Sequence, residues 1–167
     1  MNGYQGVTFL EMMATLSIAA VLALLSTVLF TDFIARYRLS ATADSLYFQL
    51  QYARSEAVKR NIPVYVSFHA GDTWCYGIHT SSACDCTTPA SCSLGTVSYT
   101  KAGLISLSTN GLISNAIYFD GTNGSANASG SITFTKYGQS TPLITTTISR
   151  LGNTTACSTD VNGYSAC

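Results

Sequence analysis

The stretch LQYARSEAVKRNIPV, residues 50–64, decides how the chain is built. Up to Arg60 it continues an apolar repeat that begins further back. Leu39, Ala43, Leu46, Leu50, Ala53 and Ala57 follow one another at steps of 4, 3, 4, 3 and 4. That spacing puts a single apolar stripe on one face of an α-helix. Glu56 and Arg60, four residues apart, support the last turns. Asn61 and Pro63 then stop the helix, because the proline ring disfavours the helical conformation in the residue before it. Directly after Pro63 the period falls from 3.6 to 2 in VYVSFH, residues 64–69. A helix with one apolar face that feeds straight into strands is expected to lay that face on them. The expected fold class is therefore α+β, a long N-terminal helix packed on a small antiparallel β-sheet head.

Working towards the C-terminus, strands are expected at 64–69, 73–79, 96–101, 104–108, 116–119, 131–136 and 143–149, where Thr, Val, Ile, Tyr and Phe dominate. Turns are expected at Gly71-Asp72, Asn110-Gly111 and Tyr137-Gly138. The segment DGTNGSANASGS, residues 120–131, has no large apolar side chain and is expected to be a mobile loop.

Working towards the N-terminus, the run Met12 to Thr31 holds twenty residues without a charge. A helix of that length rises about 30 Å, the thickness of a bilayer's hydrocarbon core. A retained membrane helix is expected, continuing into an amphipathic stem, the whole about 80 Å long at 1.5 Å per residue. Composition agrees: only 10% of residues are charged, and eight Lys+Arg balance eight Asp+Glu. A zero balance speaks against a strongly basic nucleic-acid binder. Glu11 sits at the edge of the apolar run, where a carboxylate is costly unless paired.

Gly6-Val7-Thr8-Phe9-Leu10-Glu11 ahead of the apolar run resembles the cleavage site of type IV prepilins. The run Leu50 to Val64 resembles the signature of the GspH/FimT pseudopilin family, and so does Asp32 to Leu39. The resemblance implies a leader at 1–6, a transmembrane helix at 7–31, a stem helix at 32–61 and a β-rich head at 62–167. It implies that prepilin peptidase cuts between Gly6 and Val7 and methylates the Val7 amine. It further implies that Glu11 serves assembly by pairing with a neighbouring subunit's amine, and that the partners are other pilins or minor pilins. The location implied is the bacterial inner membrane with the head in the periplasm, followed by an extracellular pilus or a periplasmic pseudopilus. The function implied is that of a minor pilin of a type IV pilus, in a tip or priming complex. The alternatives are a type II secretion pseudopilin and a pilus-tip DNA receptor for natural transformation.

Six cysteines in so short a chain point to an oxidising compartment. Cys75, Cys84, Cys86 and Cys92 form one group, Cys157 and Cys167 another. Six cysteines permit 15 pairings. Pairing Cys157 with Cys167 closes a short loop and leaves the other four to staple the region of residues 73–94. Neither spacing is that of a zinc knuckle, and no metal or other cofactor is expected. No nucleophilic triad, phosphate loop or paired acidic motif is present, so no catalytic residue and no enzyme activity are expected. For DNA the candidates are Lys136, Arg150 and Tyr164. Some FimT-type members carry Gly-Arg-x-Arg near the C-terminus, where this chain has Gly163-Tyr164-Ser165-Ala166. Beyond Asn61 the charge balance is −1, so DNA is expected to bind weakly or not at all.

Overall fold

The structure, a computed structural model, describes residues 8–99, 105–136 and 143–167, and the side chains of all of these except 24–32. Helix α1 spans Phe9–Arg60. Thr8 caps its start: the hydroxyl accepts the Glu11 N–H at 3.3 Å and the carbonyl accepts the Met12 N–H at 3.1 Å. Thr8 and Glu11 thus have the spacing of a capping box. At the other end Asn61 takes φ 52°. The Ile62 N–H then reaches back to Ala57 O and the Asn61 N–H to Val58 O, both at 3.3 Å. This paired closure satisfies carbonyls that the helix end would otherwise leave bare, and asparagine tolerates the left-handed backbone it requires.

The chain divides into two compact units, one ending at Tyr37 and the other Arg38–Cys167. Among the described residues of the second unit, eight strands follow the helix: β1 Val64–His69, β2 Cys75–Thr80, β3 Gly95–Ser98, β4 Ile105–Asn110, β5 Ala116–Phe119, β6 Gly130–Lys136, β7 Ile144–Ile148 and β8 Thr154–Ser158. They form two four-stranded antiparallel sheets, ordered β3-β2-β1-β5 and β4-β6-β7-β8. The β8 strand has no counterpart among the expected ones. Its sequence TTACS lacks strict alternation, and pairing with β7 is what makes it a strand. The turn at Tyr137-Gly138 lies outside the described residues.

The helical stripe behaves as its spacing demands. Leu39, Ala43, Leu46, Leu50, Ala53 and Ala57 are all buried, in one core with Val64, Val66, Ile117 and Phe119 of the first sheet and Leu107, Ile132, Phe134 and Ile144 of the second. Each buried leucine contributes about 1.5–3 kcal/mol, and the alanines let the backbones approach. Trp74 holds the two sheets together: it stacks on Tyr76 and Tyr99, meets the Phe134 ring edge-on, and donates its indole N–H to Ile105 O at 3.1 Å.

One expectation is overturned. The segment 120–131 is a packed turn, not a loose loop. Gly121, Gly124, Ala126 and Ala128 are buried. The Asp120 carboxylate accepts the Thr122 N–H and hydroxyl, and Asn127 pairs with the Tyr118 backbone through its own N–H at 3.1 Å and its side-chain oxygen at 2.9 Å. The small side chains that suggested mobility are what let this backbone lie against the helix end. A Cβ on Gly121 would strike the Asn61–Ile62 backbone.

Candidate functional site

Two surfaces carry the residues singled out in the sequence. The first is the N-terminal part of the helix. Phe9, Leu10, Met12, Met13, Leu16, Ile18, Val21 and Leu22 are all more than half exposed. The few polar side chains among them are satisfied locally: the Thr15 hydroxyl donates to Met12 O at 3.0 Å and that of Ser17 to Ala14 O at 2.8 Å. Hydroxyls folded back onto the helix make no demand on surrounding water. Glu11 is exposed in the first turn, where the helix dipole favours a carboxylate. Gly6 and Val7 lie outside the described residues, as do the side chains of 24–31 within the apolar run. Among the described residues, no helix is long and apolar enough to cross a membrane.

The second surface is the joint between helix and head, built by the residues of the ARSEA run. Arg54 Nε donates to Gly124 O at 3.0 Å, and its Nη2 donates to Leu151 O at 3.2 Å. One guanidinium thereby ties two loops, from separate parts of the head, to the helix. Gly124 and Gly152 make room for it at φ 68° and 78°, and a Cβ on either would come within 3.0 Å of Arg54 Nε. Glu56 is 6% exposed and accepts from Arg60 Nε at 2.6 Å and Lys59 Nζ at 3.3 Å. The Arg60 hydrogen bond holds its carboxyl below the ordinary range against the opposing effect of burial. Sequence reading assigned Glu56 and Arg60 to each other but offered no signal for the partner of Arg54, which lies 70 and 97 residues away.

In the head the cysteines pair as Cys75–Cys86, Cys84–Cys92 and Cys157–Cys167. Cys75–Cys86 ties the loop that follows β2 back to that strand, and Cys84–Cys92 closes the same loop on itself over Gly77. Gly77 is required there, since a Cβ would strike Cys92 Sγ and stand 3.1 Å from Cys84 Sγ. His79 Nδ1 accepts the Ser93 N–H at 3.0 Å within the same brace. Thr87, through its hydroxyl and N–H, holds the Asp85 carboxyl below its usual range.

The three DNA candidates do not converge. Lys136 ends β6 beyond the Phe134↔Ile144 pair, whereas Arg150 follows β7 beyond Gly130↔Ile148, at the opposite end of the same strand pair. Tyr164 is occupied elsewhere: its hydroxyl donates to Asp44 Oδ1 at 2.7 Å and to Ser40 O at 3.3 Å, fastening the C-terminal loop to the helix. Burial, and then the Asp44 carboxylate, push its phenol well above the ordinary value.

The sequence model of the family described as "Type II transport protein GspH" matches residues 42–152. Among solved structures, the type IV minor pilin FimU of Pseudomonas aeruginosa resembles this chain in two crystal forms. The first superposes with a TM-score of 0.56 at 21% identity, covering 73% of this chain and 90% of FimU. The second gives 0.51 at 19% identity, covering 70% and 90%. No curated protein matches the sequence.

Proposed function

Since the chain belongs to the GspH family of pilin-like proteins, we propose that it is a minor pilin that enters a type IV pilus through its N-terminal helix, as part of a tip or priming complex. The observation that carries this reading is the apolar surface from Phe9 to Leu22, exposed around the single carboxylate of Glu11. Side chains of this kind need lipid or other helices around them. Before assembly the uncharged run Met12 to Thr31 sits in the inner membrane, with the head in the periplasm, where its disulfides form. Prepilin peptidase cuts between Gly6 and Val7 and methylates the new amine. The Glu11 carboxylate then pairs with a neighbour's amine, each charge supplying the partner that the other needs in a low dielectric.

The test is the composition of sheared surface fibres. Intact mass is expected to show a chain beginning at a methylated Val7. Glu11→Ala is expected to insert into the membrane but to be lost from fibres, since the neighbour's amine is left unpaired at a cost of several kcal/mol. Normal incorporation of that variant would refute the role given to Glu11. The match to the type II transport protein family GspH favours a second reading, a type II secretion pseudopilin. A chain confined to periplasmic fibres and required for protein export would decide for it.

A further inference from the structure

Strand β8 has an outward edge that the C-terminal segment covers only at its far end, where Cys157 and Ser165 form a parallel bridge. The Ser149 N–H donates to Asn153 O at 2.9 Å, and the register continues through Thr147↔Thr155 and Thr145↔Cys157. Antiparallel pairs alternate, so Asn153, Thr155 and Cys157 turn their backbone groups to β7 while Thr154, Ala156 and Ser158 turn theirs away. The Ser158 N–H is taken by Ser165 O at 2.9 Å. The Thr154 N–H and C=O and the Ala156 N–H are left facing outward. Among the described residues, two other edges are bridged. Gly71 exchanges two backbone bonds with Leu107 on β4, and Asn127 closes β5 at Tyr118. Residues 100–104, beyond β3 in the sequence, lie outside the described residues.

Between the open stretch of β8 and the helix lies a groove of about 470 Å³. Its helical wall is Asp44, Tyr47 and Phe48, with Phe48 67% exposed and meeting the Tyr47 ring edge-on at 5.6 Å. Thr154, only 7% exposed, is one of the residues on the β8 side of the groove, and its hydroxyl is buried beneath without a hydrogen-bond partner. The groove therefore offers a row of unpaired backbone groups, an apolar shelf and a carboxylate. That set matches an extended polypeptide strand laid alongside β8.

We propose that this groove receives an extended segment of a neighbouring, different pilin-type subunit, which adds a strand to the second sheet. The incoming segment places an apolar side chain on Phe48 and a basic one near Asp44, whose carboxylate accepts the Tyr164 hydroxyl through Oδ1. A second copy of this chain does not supply the strand: its described strands are paired within the sheets, and its last residues are tied back through Cys157–Cys167. The inference rests on the reading of the chain as a fibre subunit.

A photo-crosslinking amino acid at position 48 of the full chain, in cells that make the fibre, tests it. The sheared fibre fraction first shows whether the chain is incorporated, which tests the fibre reading by itself. Within incorporated chain, a crosslink to an extended segment of a different subunit is expected. Ala156→Pro is expected to cut that crosslink about tenfold, because it removes an outward donor and sets a ring against the incoming strand. An edge N–H that faces away from the ladder tolerates proline, so unfolding followed by Trp74 fluorescence should be little changed. Thr155→Pro, which removes a ladder bond, is the destabilising control. A crosslink to a second copy, no crosslink in incorporated chain, or a crosslink indifferent to Ala156→Pro would each overturn the proposal.

Discussion

Replacing Arg54 by methionine isolates the joint between helix and head. Methionine keeps most of the aliphatic stem and removes the two donors to Gly124 O and Leu151 O. Gly124 is buried, so its carbonyl loses a charge-assisted bond with little access to water, at about 1.5–2.5 kcal/mol. Leu151 is 73% exposed, so water replaces the donor to its carbonyl and the loss is about 0.5 kcal/mol. The sum is about 2–3 kcal/mol. With a slope of about 2 kcal/mol per molar for a unit of this size, the urea midpoint should fall by about 1–1.5 M. Trp74 is the chain's one tryptophan and is buried in the head core, so its fluorescence in detergent-solubilised full-length protein reports on this unit. Arg54→Lys should recover only part of the loss, because an ammonium cannot span both carbonyls. A shift below about 0.3 M for Arg54→Met would mean that both carbonyls exchange their donor for water at no cost, and would refute the account of the joint.

Gly152→Ala should cost more than about 1 kcal/mol by the same assay, since φ is 78° and the new methyl would strike the Gly124 carbonyl. That carbonyl is the Arg54 acceptor, so the two losses should be less than additive in the double variant. On the acid side, the Glu56 carboxyl is held below its ordinary 4.5 in the folded chain. The unfolded chain therefore binds more protons near that pH, and the Glu56 contribution should be whole above about pH 4.5 and lost as the pH falls through the lower folded value. Arg60→Met should flatten this part of the urea-midpoint profile against pH. On the alkaline side the folded phenol of Tyr164 is raised above 10, so stability should decline above pH 10, and Tyr164→Phe should lessen that decline. In a DNA titration at about 0.15 M salt, the full chain should bind duplex at about 10⁻⁴ M or more weakly and release it as salt rises. Saturable micromolar binding lost in Arg150→Ala would refute this.

Much of the molecule is legible without coordinates because it is local. The steps from Leu39 to Ala57 define a helical face, Asn61 and Pro63 define its end, and the alternation of VYVSFH defines the first strand. Each of these depends on residues within a turn or two of one another, so period and stop signals suffice. Tertiary structure decided what depends on distant partners. Nothing local divides eight strands between two sheets. That division follows from β1 pairing with β5 and β4 with β6, so that both inner faces share one core with the helix. TTACS becomes a strand only because β7 lies beside it, and residues 120–131 become ordered because small side chains let them meet the helix end. Arg54 looks like one more charge on a helix until its two acceptors arrive from loops far along the chain. Local periodicity is written residue by residue. The choice among distant pairings is made by which apolar faces can be buried together while every buried carbonyl still finds a donor.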